Sequence, residues 1–422
     1  MGMLSQRRAR ARRYAVACAV AAALPAAGAL AQPAAAVQTP LSQVRVDELP
    51  QLRQISVPSA WRVSLGRGVT VAVLDTGADG GVPDLAGSVT SGPDYAAGAD
   101  PAGYHPPQLH GTFIASLIAG HGSGPDRVGG VIGVAPEARI LSIRVILDDQ
   151  EPGFGVYNDD SRFASAIPDG IRYAVRHGAS VINMSLGSAD PTRGIRRAIG
   201  YAISHGVVVV ASAGNDGTLG RGFTPFSYPA SFTGVISVAA VGSTGSRALF
   251  SDDNASVVIS APGVGVVGAG PGSQYLTGSG TSPAAAFVSG VAALIRSRYP
   301  RLAPAQVTQA LVSSAQHRPA GGYSPGVGFG EVNAAAALAA AGKLARQRAA
   351  PGLSASAHFG TGPLPGAIQV VHRSYAAIAA LAVLAGGAAG GFVLAAALFM
   401  RRRRRPRHGP DPGPERPGLY AP

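Results

Sequence analysis

The 422-residue chain has one cysteine, Cys18, one tryptophan, Trp61, and a single lysine, Lys343, among its 35 basic residues. Cys18 falls in the N-terminal segment read below as an export signal, so the mature protein is expected to have neither a disulfide nor a thiol nucleophile. A domain of a few hundred residues does not need disulfides to hold its core. Charge is scarce, at 14% of residues, and the 22 acids leave a formal net charge of +13. That excess sits at the ends: the first 13 residues carry five Arg and no acid, and the tail from Arg401 carries seven Arg against Asp411 and Glu415, which leaves +3 for residues 14–400. A nucleic-acid binder carries its basic stripe on the folded domain. Charge confined to the termini reads as membrane topology, and nucleic acid is not expected as a partner. His105 and His121 flank His110 without a motif of their own, and no cluster has metal-ligand spacing; the sequence calls for no metal and no cofactor.

What the chain does have is apolar bulk and turn formers: 46% hydrophobic residues, 58 Gly and 33 Pro. Residues 1–31 read as a signal peptide, with a basic Arg7–Arg13 region, an apolar Tyr14–Leu30 stretch and a small-x-small site at Ala29-Leu30-Ala31. Residues 32–65 form a short extension, 66–344 the working domain, and 345–375 a Pro/Gly/Ala-rich linker. Ala376–Met400 gives 25 residues without a charge, enough at about 1.5 Å per residue to span a bilayer with room to tilt. Arg401–Arg405 follow at once, and such a cluster stays cytoplasmic. The expected protein is therefore single-pass in the cell membrane, with its working domain outside and residues 401–422 as a basic cytoplasmic tail. Gly386, Gly387, Gly390 and Gly391 give the span two overlapping G-x-x-x-G pairs, a face on which helices approach closely.

Inside the working domain, short β-branched runs alternate with helical patterns. Strands are expected at Val69–Leu74, within Ala138–Val145, and at Val181–Met184, Val207–Ser212 and Val235–Val241. Helices are expected at His110–Ala119, Ser165–His177, Ile195–His205 and Ser282–Arg298. Continuous apolar strands alternating with helices predict an α/β fold of three layers, with a mostly parallel sheet covered on both faces. In such sheets sites form outside the carboxyl ends of the strands. Four segments place polar residues there: Asp75 after VTVAVL, His110 at a helix start in HGTFIASLIAG, Asn215 after VVVVAS, and Ser282 opening the long helix in SGSGTSPAAAFVSG. A serine hydroxyl is a poor nucleophile until a base takes its proton. His110 is the candidate base, Asp75 the group that orients it, and the helix N-terminus at Ser282, with the Asn215 amide, a candidate oxyanion site.

With these motifs in that order, DTG at Asp75–Gly77, HGT at His110–Thr112 and GTS at Gly280–Ser282, the chain resembles the subtilisin-like (S8) serine proteases from about Gly66 to Ala337. GVAPEARILSIR, VINMSLG, ASAGN and YPAS support the resemblance. It implies that Ser185, Leu186 and Gly187 pair with a substrate polypeptide as an added strand, and that Ala213 and Gly214 edge the first specificity pocket. Signal, domain, linker, membrane helix and basic tail together resemble the mycosin branch, which implies type VII secretion components as partners. The extension before Val69 is too short for the folding prodomain of secreted subtilisins; by the same resemblance it packs along the domain, with Trp61 as a core anchor. Two departures from the family pattern stand out: Ala286 occupies the position of a Pro, with Pro283 directly after Ser282 instead, and the disulfides usual in mycosins are absent once Cys18 is removed. A serine endopeptidase is the expected function, and a catalytically weak scaffold of the same fold the alternative. An esterase reading fails because no G-x-S-x-G surrounds Ser282. By the same resemblance the loop Asp148–Asp160, with five acids and no base, lies near the cleft rim; it reads first as a solvated surface loop, and alternatively as a rim that favours basic substrates.

Overall fold

The computed structural model describes residues 40–217, 224–347 and 375–403. The signal peptide with Cys18, most of the linker and the tail beyond Arg403 lie outside the described residues. The chain divides into two units, 1–348 and 349–422.

In the first unit the strands are β1 Thr70–Asp75, β2 Val89–Asp94, β3 His121–Ser123, β4 Gly129–Ile132, β5 Arg139–Arg144, β6 Val181–Met184, β7 Val208–Ser212, β8 Ile236–Val241, β9 Ile259–Pro262, β10 Val266–Gly270 and β11 Gln274–Gly278. Seven of them make one sheet in the order β2-β5-β1-β6-β7-β8-β9, every neighbour parallel. Among the named strands, antiparallel pairing occurs in two small hairpins, β3–β4 and β10–β11. The helices are α1 Leu41–Gln54, α2 Val57–Ala60, α3 Leu109–Ala119, α4 Phe154–Asp159, α5 Ala166–Arg176, α6 Arg193–Ser204, α7 Thr281–Arg298, α8 Pro304–Ser313 and α9 Ala334–Arg346.

The strands are apolar throughout because both of their faces are covered. Val71, Val73, Val208 and Val210 pack with α3 and α7 in one core, while Ala72, Leu74, Val209 and Ala211 pack with α5 and α6 in the other. Alternate residues of a strand point to opposite faces, so one run of valines serves two layers. Buried on every side from Thr281 to Ile295, α7 shows no polar face, whereas α5 and α6 each bury a single stripe. The expected strands and helices all appear, with ends shifted by one or two residues. The unpredicted β2 reads VTSGPD; its Gly and Pro are tolerated because it is an edge strand.

The extension packs along the domain through α1 and α2. Val44, Glu48 and Leu52, four residues apart, make the buried face of α1. Arg45 Nε donates to Gly130 O at 3.0 Å and Gln51 Nε2 to Gly265 O at 3.2 Å. Trp61 is half-buried rather than a full core residue, and its Nε1 donates to Val134 O at 2.9 Å.

In the second unit, helix α10 runs from Tyr375 to Arg403, over the residues where a membrane span is expected from the sequence. Some of its side chains, including Ile378, Leu381 and Phe399, lie outside the description. Among the described residues no helix is long and apolar enough to cross a membrane.

Glu48 is 1% exposed, and its Oε2 accepts the Ile132 N–H at 2.8 Å with Arg45 Nε at 3.8 Å. Burial holds its carboxyl well above the usual range, outweighing the Ile132 N–H and Arg45, which pull it down. A carboxyl raised on folding binds its proton more tightly in the native state, so its contribution to stability falls as pH rises from its ordinary value of about 4.3 towards the native one. Glu48→Gln keeps the acceptor and removes this loss. The melting-temperature difference, variant minus wild type, should therefore grow from pH 4 upward and then level off. A difference that stays constant from pH 4 to 8 in thermal melts would contradict the account.

Candidate active site

Strand order reverses at β1. The chain passes from β1 outward to β2 and β5, then crosses back to β6 on the other side. Such a switch point opens a crevice at the carboxyl ends of the strands, and Asp75 closes β1 there. Fully buried, its Oδ1 accepts the Thr76 N–H at 2.8 Å and lies 2.6 Å from His110 Nδ1. An ionised carboxylate only accepts, so Nδ1 carries the proton of the neutral ring and the basic lone pair is on Nε2.

The DTG and HGT segments are fitted to each other. Gly111 lies so close to the β1 turn that a β-carbon on it would overlap the Gly77 carbonyl oxygen. Its N–H donates to Thr76 Oγ1 at 3.1 Å, and Thr112 Oγ1 accepts the Asp79 N–H at 2.9 Å. Ser142 of β5 adds a bond to the Ala78 N–H at 2.8 Å. These contacts seat the first turn of α3 against the end of β1 and set the imidazole on the carboxylate.

Ser282, 5% exposed, lies in the first turn of α7 and lines the same cleft as His110. Its Oγ is 3.4 Å from Ser185 O, and Ser185 Oγ donates to Ser282 O at 3.0 Å. Asn183, on fully buried β6, donates to Ser185 Oγ at 3.0 Å and accepts from Ser289 Oγ of α7 at 2.9 Å. This chain of bonds ties the predicted substrate edge Ser185–Leu186–Gly187 to the helix that carries Ser282. Pro283 sits in the first turn, where a missing N–H costs no intrahelical bond, and α7 continues to Arg298. Ala286, at the family's Pro position, is fully buried.

Asn215 Oδ1 accepts from Thr281 N at 2.9 Å and Thr281 Oγ1 at 3.0 Å. Because a backbone N–H can only donate, the amide orientation follows, and Nδ2 is turned towards Gly280 at the cleft. Gly214 has φ of +115°, which glycine adopts without strain, and its N–H donates to Thr281 Oγ1 at 3.2 Å. Ala213 N–H is bonded to Val238 O of β8 at 3.0 Å. The structure thus gathers Asp75, His110 and Ser282 in one buried crevice, with Ser185–Gly187 and Ala213–Asn215 tied to the start of α7.

The electrostatics around the crevice were not legible beforehand. Burial pushes the Asp148 carboxyl up to about 6, with Asp75 and Glu151 adding to the rise and His110 opposing it. Next to Asp75 in the sheet register, Arg144 is 3% exposed and paired with Asp94 at 3.0 Å, Asp100 at 2.6 Å and Glu151 at 2.8 Å. Although burial works against its charge, those carboxylates hold the guanidinium protonated. The acidic loop is consequently not a free row of charges, since Glu151 is spent on Arg144 and Asp160 bonds Arg162 Nε at 2.7 Å. Asn183 and Arg144 carried one available signal, a polar residue inside an otherwise apolar strand, and Thr281 lay within the GTS motif; Asp252 carried none.

The family model described as the subtilase family, Peptidase S8, matches residues 66–330, more than half of the chain. The intracellular serine protease of Paenibacillus polymyxa is 35% identical over 60% of this chain and 74% of its own length. Mycosin-1 of Mycobacterium tuberculosis is 33% identical over 67% of this chain and 71% of its own. The solved structure of the MycP3 protease from the type VII (ESX-3) secretion system superposes with a TM-score of 0.56 at 33% identity, over 68% of this chain and 87% of that one. With a family model that spans the crevice residues and proteases as relatives, one assignment follows: the chain belongs to the subtilase family of serine-type endopeptidases, on its mycosin-like side.

Proposed function

We propose that this protein cleaves polypeptides through a triad of Asp75, His110 and Ser282, outside a membrane to which Ala376–Met400 anchors it. The observation that carries the triad is the buried 2.6 Å contact of His110 Nδ1 with Asp75, with Ser282 on the same cleft. His110 Nε2 takes the Ser282 proton as Oγ attacks the scissile carbonyl, and the imidazolium that forms is stabilised by Asp75. The tetrahedral oxyanion is met by the Ser282 N–H and Asn215 Nδ2, aided by the positive end of α7. His110 then protonates the leaving amine, and water, activated by the same base, hydrolyses the acyl-enzyme. The substrate backbone pairs with Ser185–Gly187 as an added strand, and Ala213–Gly214 edge the pocket for the side chain before the cleaved bond.

The anchor is supported by the sequence, 25 uncharged residues followed by five Arg. Removal of residues 376–422 should release the enzyme from the membrane fraction, and retention would rule out this anchor. Association with type VII secretion components rests on the likeness to Mycosin-1 and MycP3. Co-purification of secretion components with the detergent-solubilised enzyme is the test.

Ser282→Ala should abolish peptide cleavage and fluorophosphonate labelling. Asn215→Ala should lower kcat by about 10²–10³ with little change in KM, the loss of one oxyanion donor; that magnitude is the one known for a subtilisin. It should keep some labelling, since nucleophile and base remain. Wild-type turnover by Ser282→Ala would overturn the mechanism, and an unimpaired Asn215→Ala would move the oxyanion site elsewhere.

A base must be neutral to act, so activity should fall on acidification as the His110 ring takes up a proton. Charged Asp148 favours the imidazolium. Asp148→Asn should therefore carry the acid limb of kcat/KM to lower pH, by on the order of half a unit. A limb that stays in place would show that Asp148 does not act on His110.

A further inference from the structure

Resting on the protease reading above, the inference concerns the side chain that the enzyme selects. Two glycines reveal what lies between the walls of the first specificity pocket. A β-carbon on Gly187, on one wall, would run into Ser227 Oγ. A β-carbon on Gly214, on the other, would overlap Asp252 Oδ2 and come within 3.3 Å of Ser227 Cβ. Ser227 and Asp252 therefore stand together where the two walls meet.

Asp252 is 1% exposed. Its Oδ1 is occupied by the Asp216 N–H at 2.7 Å, and its own N–H donates to Gly214 O at 3.0 Å. Those two bonds brace the 213–216 turn. Neither bond involves Oδ2, the oxygen turned towards Gly214. No ion pair to Asp252 is present among the described residues either. The nearby Arg247 lies 3.9 Å from Asp253 and donates to the Leu249 and Ser251 carbonyls. A carboxylate largely withdrawn from water is costly, and a cation bonded to its second oxygen relieves the cost. Burial, together with the Asp216 carboxylate, pushes Asp252 up to about 7 against the pull of the Asp216 N–H and Arg247. Among the described residues, the cation that acts on it is Arg247, which bonds elsewhere. A leucine or phenylalanine side chain would cover the carboxylate without bonding it, whereas an ammonium or guanidinium on a long stem supplies donors to Oδ2 and meets the Ser227 hydroxyl beside it.

We infer that Asp252 and Ser227 form the floor of the first specificity pocket and select lysine or arginine immediately before the cleaved bond. The full-length enzyme in detergent should be assayed on a fluorogenic peptide series that varies only this residue, as Lys, Arg, Leu, Phe or Ala. Lys and Arg peptides should exceed Leu and Phe in kcat/KM by tenfold or more. Asp252→Asn, which keeps the acceptor for Asp216 N–H, should reduce that ratio at least tenfold. A wild-type preference for Leu or Phe overturns the inference without any variant, so a misfolded Asp252→Asn would not rescue it. An equal loss on all peptides would leave Asp252 as a brace only and would also overturn it. Fluorophosphonate labelling of Ser282 separates the two levels. A labelled enzyme without basic preference defeats the pocket alone, whereas an unlabelled enzyme that cleaves no peptide defeats the protease mechanism beneath it.

Discussion

The close approach of Gly111 to the Gly77 carbonyl is the contact on which the cleft depends. No β-carbon fits between them, so the turn after β1 and the first turn of α3 meet at backbone distance. From that seat, Thr76 and Thr112 each bond across to the other segment, and His110 is delivered to Asp75 with no loop left to adjust. A side chain at position 111 would push α3 away by more than the Asp75–His110 hydrogen bond can stretch. Glycine here acts through space rather than through torsional freedom.

The second half of the cleft is fixed by different means. α7 is buried on almost every side, so its position follows from packing against β6, β7, β8 and β9. Polar groups then set its rotation and depth: Ser289 to Asn183, Ser185 to the Ser282 carbonyl, Asn215 to Thr281. Each is buried or half-buried, where an unmade hydrogen bond costs more than a made one gains. The apolar core holds α7 in the sheet, and this short list of bonds specifies which residue of its first turn reaches the crevice. Charge is arranged just as locally. Arg144 gathers Asp94, Asp100 and Glu151 beside β1, so much of the acidity near the crevice is tied up in structure.

Much of this was legible in the sequence because the signals are dense there. An apolar run ending in DTG declares both a buried strand and a carboxylate at its exit, and GTS before an apolar helix declares the helix start. Asp75, His110 and Ser282 could be named for that reason. β2 was not legible, because an edge strand tolerates Gly and Pro and VTSGPD reads as a turn. Asp252 was not legible because nothing in FSDDNAS distinguishes an acid that enters the core from one that stays in water. Whether the acids of the Asp148–Asp160 loop are free depends on Arg144 and Arg162, and a sequence does not show such pairings across space. The span at Ala376–Met400 remains a reading of hydropathy and flanking charge.

The extension shows how a segment with weak local preferences acquires a fixed structure. Its helix α1 has Pro50 inside it and no side-chain cap at its start. Pro removes one intrahelical bond and crowds the preceding turn, and a 14-residue helix is marginal alone even without it. Docking therefore decides the matter. Val44 and Leu52 enter cores of the domain, Glu48 takes the Ile132 N–H of β4, and Arg45 and Gln51 bond carbonyls at Gly130 and Gly265. These partners come from segments that also carry β4 and the β10 hairpin, which packs against α3. A helix held this way folds with the domain rather than before it, and it closes the side of the β10–β11 hairpin remote from the cleft lining at Leu276 and Gly278. The buried Glu48 fits the same logic. A charged side chain is a poor source of stability in that position, but its demand for the Ile132 N–H admits one register of α1 on β4 and penalises the others.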